Sequence, residues 1–212
     1  MIILFDLDGT LIDSTDAILE SFHHALSKHG YESKKDEDIK ALIGYPLDIM
    51  FERLGVDTGV VWDYVATYKE HYREISTQKT ELLKNAREAV LLAKEFAILG
   101  IVTTKTALYS KLLMEHFDLM QHFEVLIGRE DVQNPKPHAE PILKALEKMD
   151  TKNREIWMIG DTKLDIIAAK NANVNSIGVL SGYDSLESLK EFTDIIFSDA
   201  LEAMIYLQNR KK

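Results

Sequence analysis

The chain opens MIILFDLDGT, residues 1–10, and the reading of this stretch decides the fold. Ile2 to Phe5 form a short apolar run of mostly β-branched and aromatic side chains without polar alternation. Such a run predicts a strand covered on both faces, as in a parallel sheet flanked by helices. Asp6 and Asp8 then sit at its carboxyl end, followed by Gly9 and Thr10. Two carboxylates at the end of a buried strand contribute nothing to packing, so the pair points to chemistry.

Working outward, the pattern becomes helical from Ser14 to about Thr80. Ile18, Phe22, Ala25 and Leu26 make one stripe that ends near Gly30, and Val61, Tyr64, Val65, Tyr68 and Tyr72 make another. A shorter helical pair lies between them, broken at Gly44 and Pro46. After Asn85 helical and strand-like segments alternate to the end, the mark of repeated βαβ units. The strand candidates are residues 97–103, 123–128, 156–160, 175–179 and 194–197. A lone first strand needs these as partners, so the helical stretch is an insertion. The expected architecture is an α/β Rossmann-like parallel sheet in three layers, built from residues 1–13 and 84–212. Residues 14–83 form an inserted helical cap. Arg210, Lys211 and Lys212 read as a frayed, solvated end.

The whole composition agrees with this outline. With 212 residues and 46% hydrophobic content there is ample material for a packed interior. The formal net charge of −10 should repel nucleic acid and anionic membranes, so neither is expected as a partner. The absence of cysteine excludes disulfides, thiolate metal sites and a Cys nucleophile. The apolar start is too short for a signal peptide and no stretch approaches a membrane span, which predicts a cytoplasmic protein; a monomer or weak homodimer is the separate expectation for its assembly.

In open α/β sheets ligands bind at the carboxyl ends of the strands. The first strand ends in Asp6 and Asp8; the second in Thr103, Thr104 and Lys105. The loop after the third carries Lys136 between two prolines, and the fourth strand leads into Asp161, with Asp165 one helical turn on. Singly, each has a plain structural reading. Asp8 or Asp13 suits a cap for the following helix, as does Asp161 for its own; Thr103 suits a hydroxyl bonded to backbone, and Lys136 a solvated loop. Together they are harder to dismiss. Two carboxylates about 4 Å apart at an effective dielectric of about 20 repel by roughly 4 kcal/mol, and Asp161 adds to this. A divalent cation offsets it economically, and an all-oxygen donor set suits Mg²⁺ better than Zn²⁺. Carboxylate, cation, lysine and Thr hydroxyl then make a site for a phosphoryl group: one Asp attacks phosphorus, while the other, Asp8, its proton affinity raised by confinement near Asp6, shuttles the proton.

The motifs FDLDGT with LIDS following, IVTTK, NPKPHAEPIL and MIGDTKLDIIAAKNANVNSIGV, in this order and spanning almost the whole chain, resemble those of the haloacid dehalogenase superfamily of phosphohydrolases. The resemblance implies Asp6 as nucleophile and Mg²⁺ ligand. It implies Asp8 as general acid/base whose main-chain carbonyl also meets the metal. Thr103 and Lys136 would hold the phosphoryl group, Asp161 would complete the metal site, and Asp165 would orient Lys136 or a metal-bound water. Amides near Gly9 and Thr104 would face phosphate oxygens. Dehalogenases of the superfamily lack the second aspartate, so Asp8 implies phosphate chemistry.

The insertion resembles the helical cap of the branch that holds phosphoglycolate phosphatase and β-phosphoglucomutase, and would select a small phosphorylated metabolite, with phosphoglycolate the named candidate. Two departures stand out: Thr104 replaces the Asn of the usual TNK, and Lys84 and Asn85 replace a usual Pro-Gly. The rival readings are a sugar phosphomutase, disfavoured because no arginine follows Gly44 in the stretch Gly44 to Leu47, and a non-catalytic binding module, disfavoured by the intact set of acids and Lys136. Tyr45, Arg53 and Lys69 of the insertion are charged or polar side chains of amphipathic helices, expected to be solvated.

Overall fold

The computed structural model describes residues 1–210. Its chain divides into two compact units, one of Met1–Asp13 with Leu82–Lys212 and one of Ser14–Glu81. The first holds six parallel strands: β1 (Ile2–Phe5), β4 (Ile98–Val102), β5 (Val125–Ile127), β6 (Ile156–Gly160), β7 (Asn175–Val179) and β8 (Ile196–Phe197). Their order across the sheet is β5-β4-β1-β6-β7-β8, so β1 is central and the winding reverses on either side of it. Ile2 lies level with Ile98 and Ile156, and Phe5 with Ile101 and Ile159.

Burial on both faces explains why the strands read as continuous apolar runs. Ile3, Phe5, Ile101, Ile159 and Ile177 point to one face, where they pack with Ala89 and Val90 of α5 (Ala86–Ala93) and with Ala203, Met204 and Leu207 of α10 (Ala200–Arg210). Ile2, Leu4, Val102, Ile127 and Met158 point to the other. There they meet Ile142 and Ala145 of α7 (Glu140–Glu147) and Ala168 and Ala169 of α8 (Lys163–Asn171). Small alanines on all four helices let the backbones approach the sheet closely. The remaining helices of this unit are α6 (Ala107–His116) and α9 (Leu186–Lys190).

The second unit is helical: α1 (Thr15–Lys28), α2 (Asp36–Lys40), α3 (Leu47–Arg53) and α4 (Val61–Ile75). The two stripes are its core. Phe22 and Phe51 pack with tilted rings at 4.4 Å between centroids, Phe22 meets Tyr68 at 5.0 Å, and Tyr72 stacks on Tyr68. The Arg53 guanidinium lies 3.9 Å over the Tyr45 ring, so these two side chains partner each other. Two very short strands, β2 (Ile12–Asp13) and β3 (Glu81–Leu82), pair as a ribbon. Neither is visible in the sequence, because two residues are too few to show a period.

Three local expectations are corrected. Ser14, rather than Asp8 or Asp13, stands at the start of α1, and Thr162 rather than Asp161 starts α8. Arg210 is not a frayed end: it closes α10, bonds the Tyr206 hydroxyl at 3.2 Å, pairs with Glu155 and lies over the Trp157 ring. Lys211 and Lys212 lie outside the described residues. Asn85, where the resemblance led to a glycine, adopts φ +64°, the left-handed conformation that asparagine tolerates best after glycine, and its amide donates to Asp199 at 2.7 Å. No helix among the described residues is long and apolar enough to cross a membrane.

Phe5 is fully buried, its ring edge-on to Phe123 at 6.3 Å. Phe5→Ala is expected to lower the unfolding free energy by about 3–5 kcal/mol. Leu108→Ala, at a position 58% exposed, is expected to stay within about 0.5 kcal/mol. Urea titration of both variants checks the contrast.

Candidate active site

The register sets the site. β1 is hydrogen-bonded between β4 and β6, and the Asp6 amide continues the ladder by donating to the Ile159 carbonyl at 2.9 Å. Asp6, Thr103 and Asp161 therefore leave three adjacent strands at one edge. All three are buried, as are Lys136 and Asp165.

Lys136 is the hub. Its Nζ lies 2.6 Å from Asp165 Oδ1, 2.9 Å from Asp6 Oδ1 and 3.1 Å from the Val102 carbonyl. Burial alone would lower its pKa, but the carboxylates of Asp165 and Asp6 outweigh that and raise it, so the ammonium stays charged. Asp6 is pushed up to about 7, chiefly by burial, with Lys136 opposing and Asp165 adding to the rise. The ammonium of Lys136, 2.9 Å away, is the charged group paired with the buried Asp6 Oδ1.

Asp165 is fixed by its own helix. Its Oδ2 accepts from the Thr162 amide at 3.1 Å and the Thr162 hydroxyl at 2.8 Å, a capping box that starts α8. Gly160 leaves room for this: a Cβ there would lie 2.2 Å from the Asp165 carboxyl carbon. Asp161 accepts from the Thr10 hydroxyl at 3.0 Å and the Tyr183 amide at 2.9 Å. Its pKa is raised by burial first, then by Asp165 and Asp6. Gly9 and Gly182 close around it, each so near that a Cβ would fall within 2.3 Å of Asp161 Oδ2. Gly9 has φ +82°, so a side chain there meets both a strained backbone and a filled space.

Asp6, Asp161 and Asp165 each offer an oxygen within 4.8 Å of the others. Three buried carboxylates, two of them paired with one ammonium, form an all-oxygen set that fits a hard divalent cation. Among the described residues the Asp6 carboxylate meets only Lys136 and Asp161 accepts one bond on each oxygen, whereas Asp165 accepts three, so Asp6 and Asp161 are the more available to it.

Asp8 stands apart from that cluster. Its Oδ2 pairs with Lys105 Nζ at 3.1 Å, the two side chains only 13% and 8% exposed. The Thr103 hydroxyl accepts from the Lys105 amide at 3.2 Å. Thr104 lies half-buried in the same loop. Sequence reasoning placed Lys105 at this strand end but gave it no role. It also passed over Thr10, and over Ser181, Gly182 and Tyr183, of which Ser181 donates to the Gly9 carbonyl at 2.8 Å. Residues 181–183 follow the end of β7, so extending the strand-end rule to the fifth predicted strand would have found them.

With this geometry in place, the comparisons are informative. Residues 3–179 match the haloacid dehalogenase-like hydrolase family model. The chain is 35% identical over 192 residues to the pyrophosphatase PpaX of Bacillus mycoides, covering 89% of this chain and 88% of the relative. Among solved structures, a predicted phosphatase from Clostridium acetobutylicum superposes with a TM-score of 0.89 at 27% identity, covering 98% of both chains. A haloacid dehalogenase-like family hydrolase from Streptococcus pneumoniae gives 0.87 at 25%, again covering 98% of both. The chain belongs to the haloacid dehalogenase-like hydrolases. Within that family it is a phosphatase, a phosphoric-ester hydrolase.

The loop that delivers Lys136 is tied down by Glu140, whose carboxylate accepts from the Gln133 amide, the Asn134 amide and the Asn134 side chain at 2.8–2.9 Å. These donors, the Gln133 amide first, pull its pKa from 4.5 to about 2. A depressed folded-state pKa means stability that is present above pH 4.5 and lost as pH falls toward 2. Glu140→Gln lacks that contribution, so its urea midpoint is expected to lie below the wild-type value near neutrality. The two midpoint curves should converge as pH falls through this window.

Proposed function

We propose that the protein is a Mg²⁺-dependent phosphatase acting on a small phosphate-bearing metabolite through an aspartyl-phosphate on Asp6. The observation that carries this reading is the convergence of Asp6, Lys136, Asp161 and Asp165 in one buried cluster at the strand ends. Pyrophosphate is placed first among substrates, because the relative at 35% identity bears the name pyrophosphatase. Phosphoglycolate is the second candidate.

In this mechanism an Asp6 oxygen attacks phosphorus in line, and the bond to the bridging oxygen breaks with its electron pair on the departing group. Asp8 gives that oxygen a proton, then takes one from the water that cleaves the aspartyl-phosphate, which restores Asp6 and releases inorganic phosphate. The Thr103 hydroxyl and Lys136 ammonium hold the transferring group, and the main-chain amides at Gly9 and Thr104 face its oxygens. Asp6, Asp161 and the Asp8 carbonyl would hold the cation. When bound, it supplies positive charge that offsets the crowded carboxylates and the phosphoryl oxygens. Asp165 keeps Lys136 aimed at the site.

Asp6→Asn keeps the shape and removes the nucleophile. It is expected to lower kcat by roughly 10³-fold or more in a phosphate-release assay. Chelation should silence the wild type, and added Mg²⁺ should restore it. A panel of pyrophosphate, phosphoglycolate, sugar phosphates and nucleotides ranked by kcat/KM tests the substrate assignment; undiminished turnover by the Asp6→Asn variant would refute the mechanism.

A further inference from the structure

Two lysines serve the strand edge, Lys136 buried and Lys105 with its side chain nearly covered, and only one is explained by the phosphoryl site. Lys136 is committed to Asp6, Asp165 and the Val102 carbonyl. Lys105, 8% exposed, instead meets Asp8 Oδ2 at 3.1 Å. Resting on the reading of Asp8 above, that oxygen serves the departing group, so a cation touching it stands beside the departing oxygen.

The loop bearing Lys105 is held from both sides. Its amide donates to the Thr103 hydroxyl, and its carbonyl accepts from the Arg129 amide at 3.0 Å. Two residues on, the Ala107 amide donates to the Glu130 carboxylate at 2.9 Å. Gly128 fits so closely beneath this turn that a Cβ would lie 2.4 Å from the Ala107 nitrogen. The ammonium is thus presented from a fixed backbone, as electrostatic stabilisation of a developing charge requires.

We propose that Lys105 is the leaving-group subsite: its ammonium binds an anion carried by the departing fragment, so the enzyme prefers substrates whose leaving group is itself negatively charged close to the scissile bond. Pyrophosphate is the simplest of these, since its leaving group is phosphate. An ester whose leaving fragment carries no charge before the bond breaks, such as p-nitrophenyl phosphate, offers Lys105 only the charge that develops on the departing oxygen, a gain common to both substrates. A lysine that merely accompanies Asp8 would affect both substrates alike.

The test measures kcat/KM for pyrophosphate and p-nitrophenyl phosphate, with Mg²⁺, for the full chain and for Lys105→Met and Lys105→Arg. Folding of each variant is checked by its thermal midpoint. The expected result is a pyrophosphate-to-aryl preference that falls ~10- to 100-fold in Lys105→Met, the range for losing a charge-assisted contact, and is partly regained in Lys105→Arg. Equal loss on both substrates, leaving the preference within about twofold of wild type, overturns the proposal.

Should the wild type not hydrolyse pyrophosphate, the substrate assignment falls by itself. Lys105 is then judged on phosphoglycolate against ethyl phosphate, a pair of equal length that differs by one carboxylate. A preference for phosphoglycolate that collapses in Lys105→Met supports the subsite, and an unchanged preference removes it. No turnover of any of the four by the wild type defeats both readings.

Discussion

The structure depends on one buried ion cluster: Lys136 held among Asp165, Asp6 and the Val102 carbonyl. A buried charge is tolerated only when paired and hydrogen-bonded, and removing one partner of such a pair costs about 3–5 kcal/mol. The cluster therefore fixes more than chemistry. It ties the loop after β5 to the carboxyl ends of β1 and β4 and to the first turn of α8, which are four separate stretches of chain. Asp165 takes part in two bonding systems at once, capping α8 through Thr162 with one oxygen and meeting Lys136 with the other. The helix cap and the lysine's aim are consequently one construction.

Glycines make this crowding possible. Gly160 admits the Asp165 carboxylate, while Gly9 and Gly182 admit that of Asp161. Carboxylates enclosed this tightly are poorly solvated, which is why burial leads the causes that raise Asp6 and Asp161. The same walls that desolvate the acids also limit how far they can move, so the site is shaped before any ligand arrives.

Much of this was legible in the sequence because the signals were strong and local. The apolar run Ile2–Phe5 and the strand Ile156–Gly160 have their full lengths, since burial on both faces writes itself as uninterrupted hydrophobicity, and Asn175–Val179 also has its predicted length although it opens on polar Asn175 and Ser176. β8 is two residues shorter than the predicted 194–197, since only Ile196 and Phe197 are in register with β7. What stayed hidden was pairing between distant side chains. That Thr162 rather than Asp161 would cap α8 depends on which carboxylate the Thr10 hydroxyl and the Tyr183 amide claim, and those partners lie 151 and 22 residues away. Lys105 was equally illegible: a lysine after two threonines carries no mark of being buried against Asp8.

The charge of the edge has a simple consequence. Asp6, Asp8, Asp161 and Asp165 face Lys105 and Lys136, so with every group ionised the edge carries two negative charges in excess. That is the charge of one divalent cation. Burial raises Asp6 to about 7 against the pull of Lys136, and raises Asp161 as well, so both carboxylates are disfavoured as anions in this crowded edge. Asp6 and Asp161 would hold a divalent cation, which would supply positive charge that favours their ionised forms. Such a charge would bear on Asp6 and on a phosphoryl group alike, so one ion could balance the whole edge.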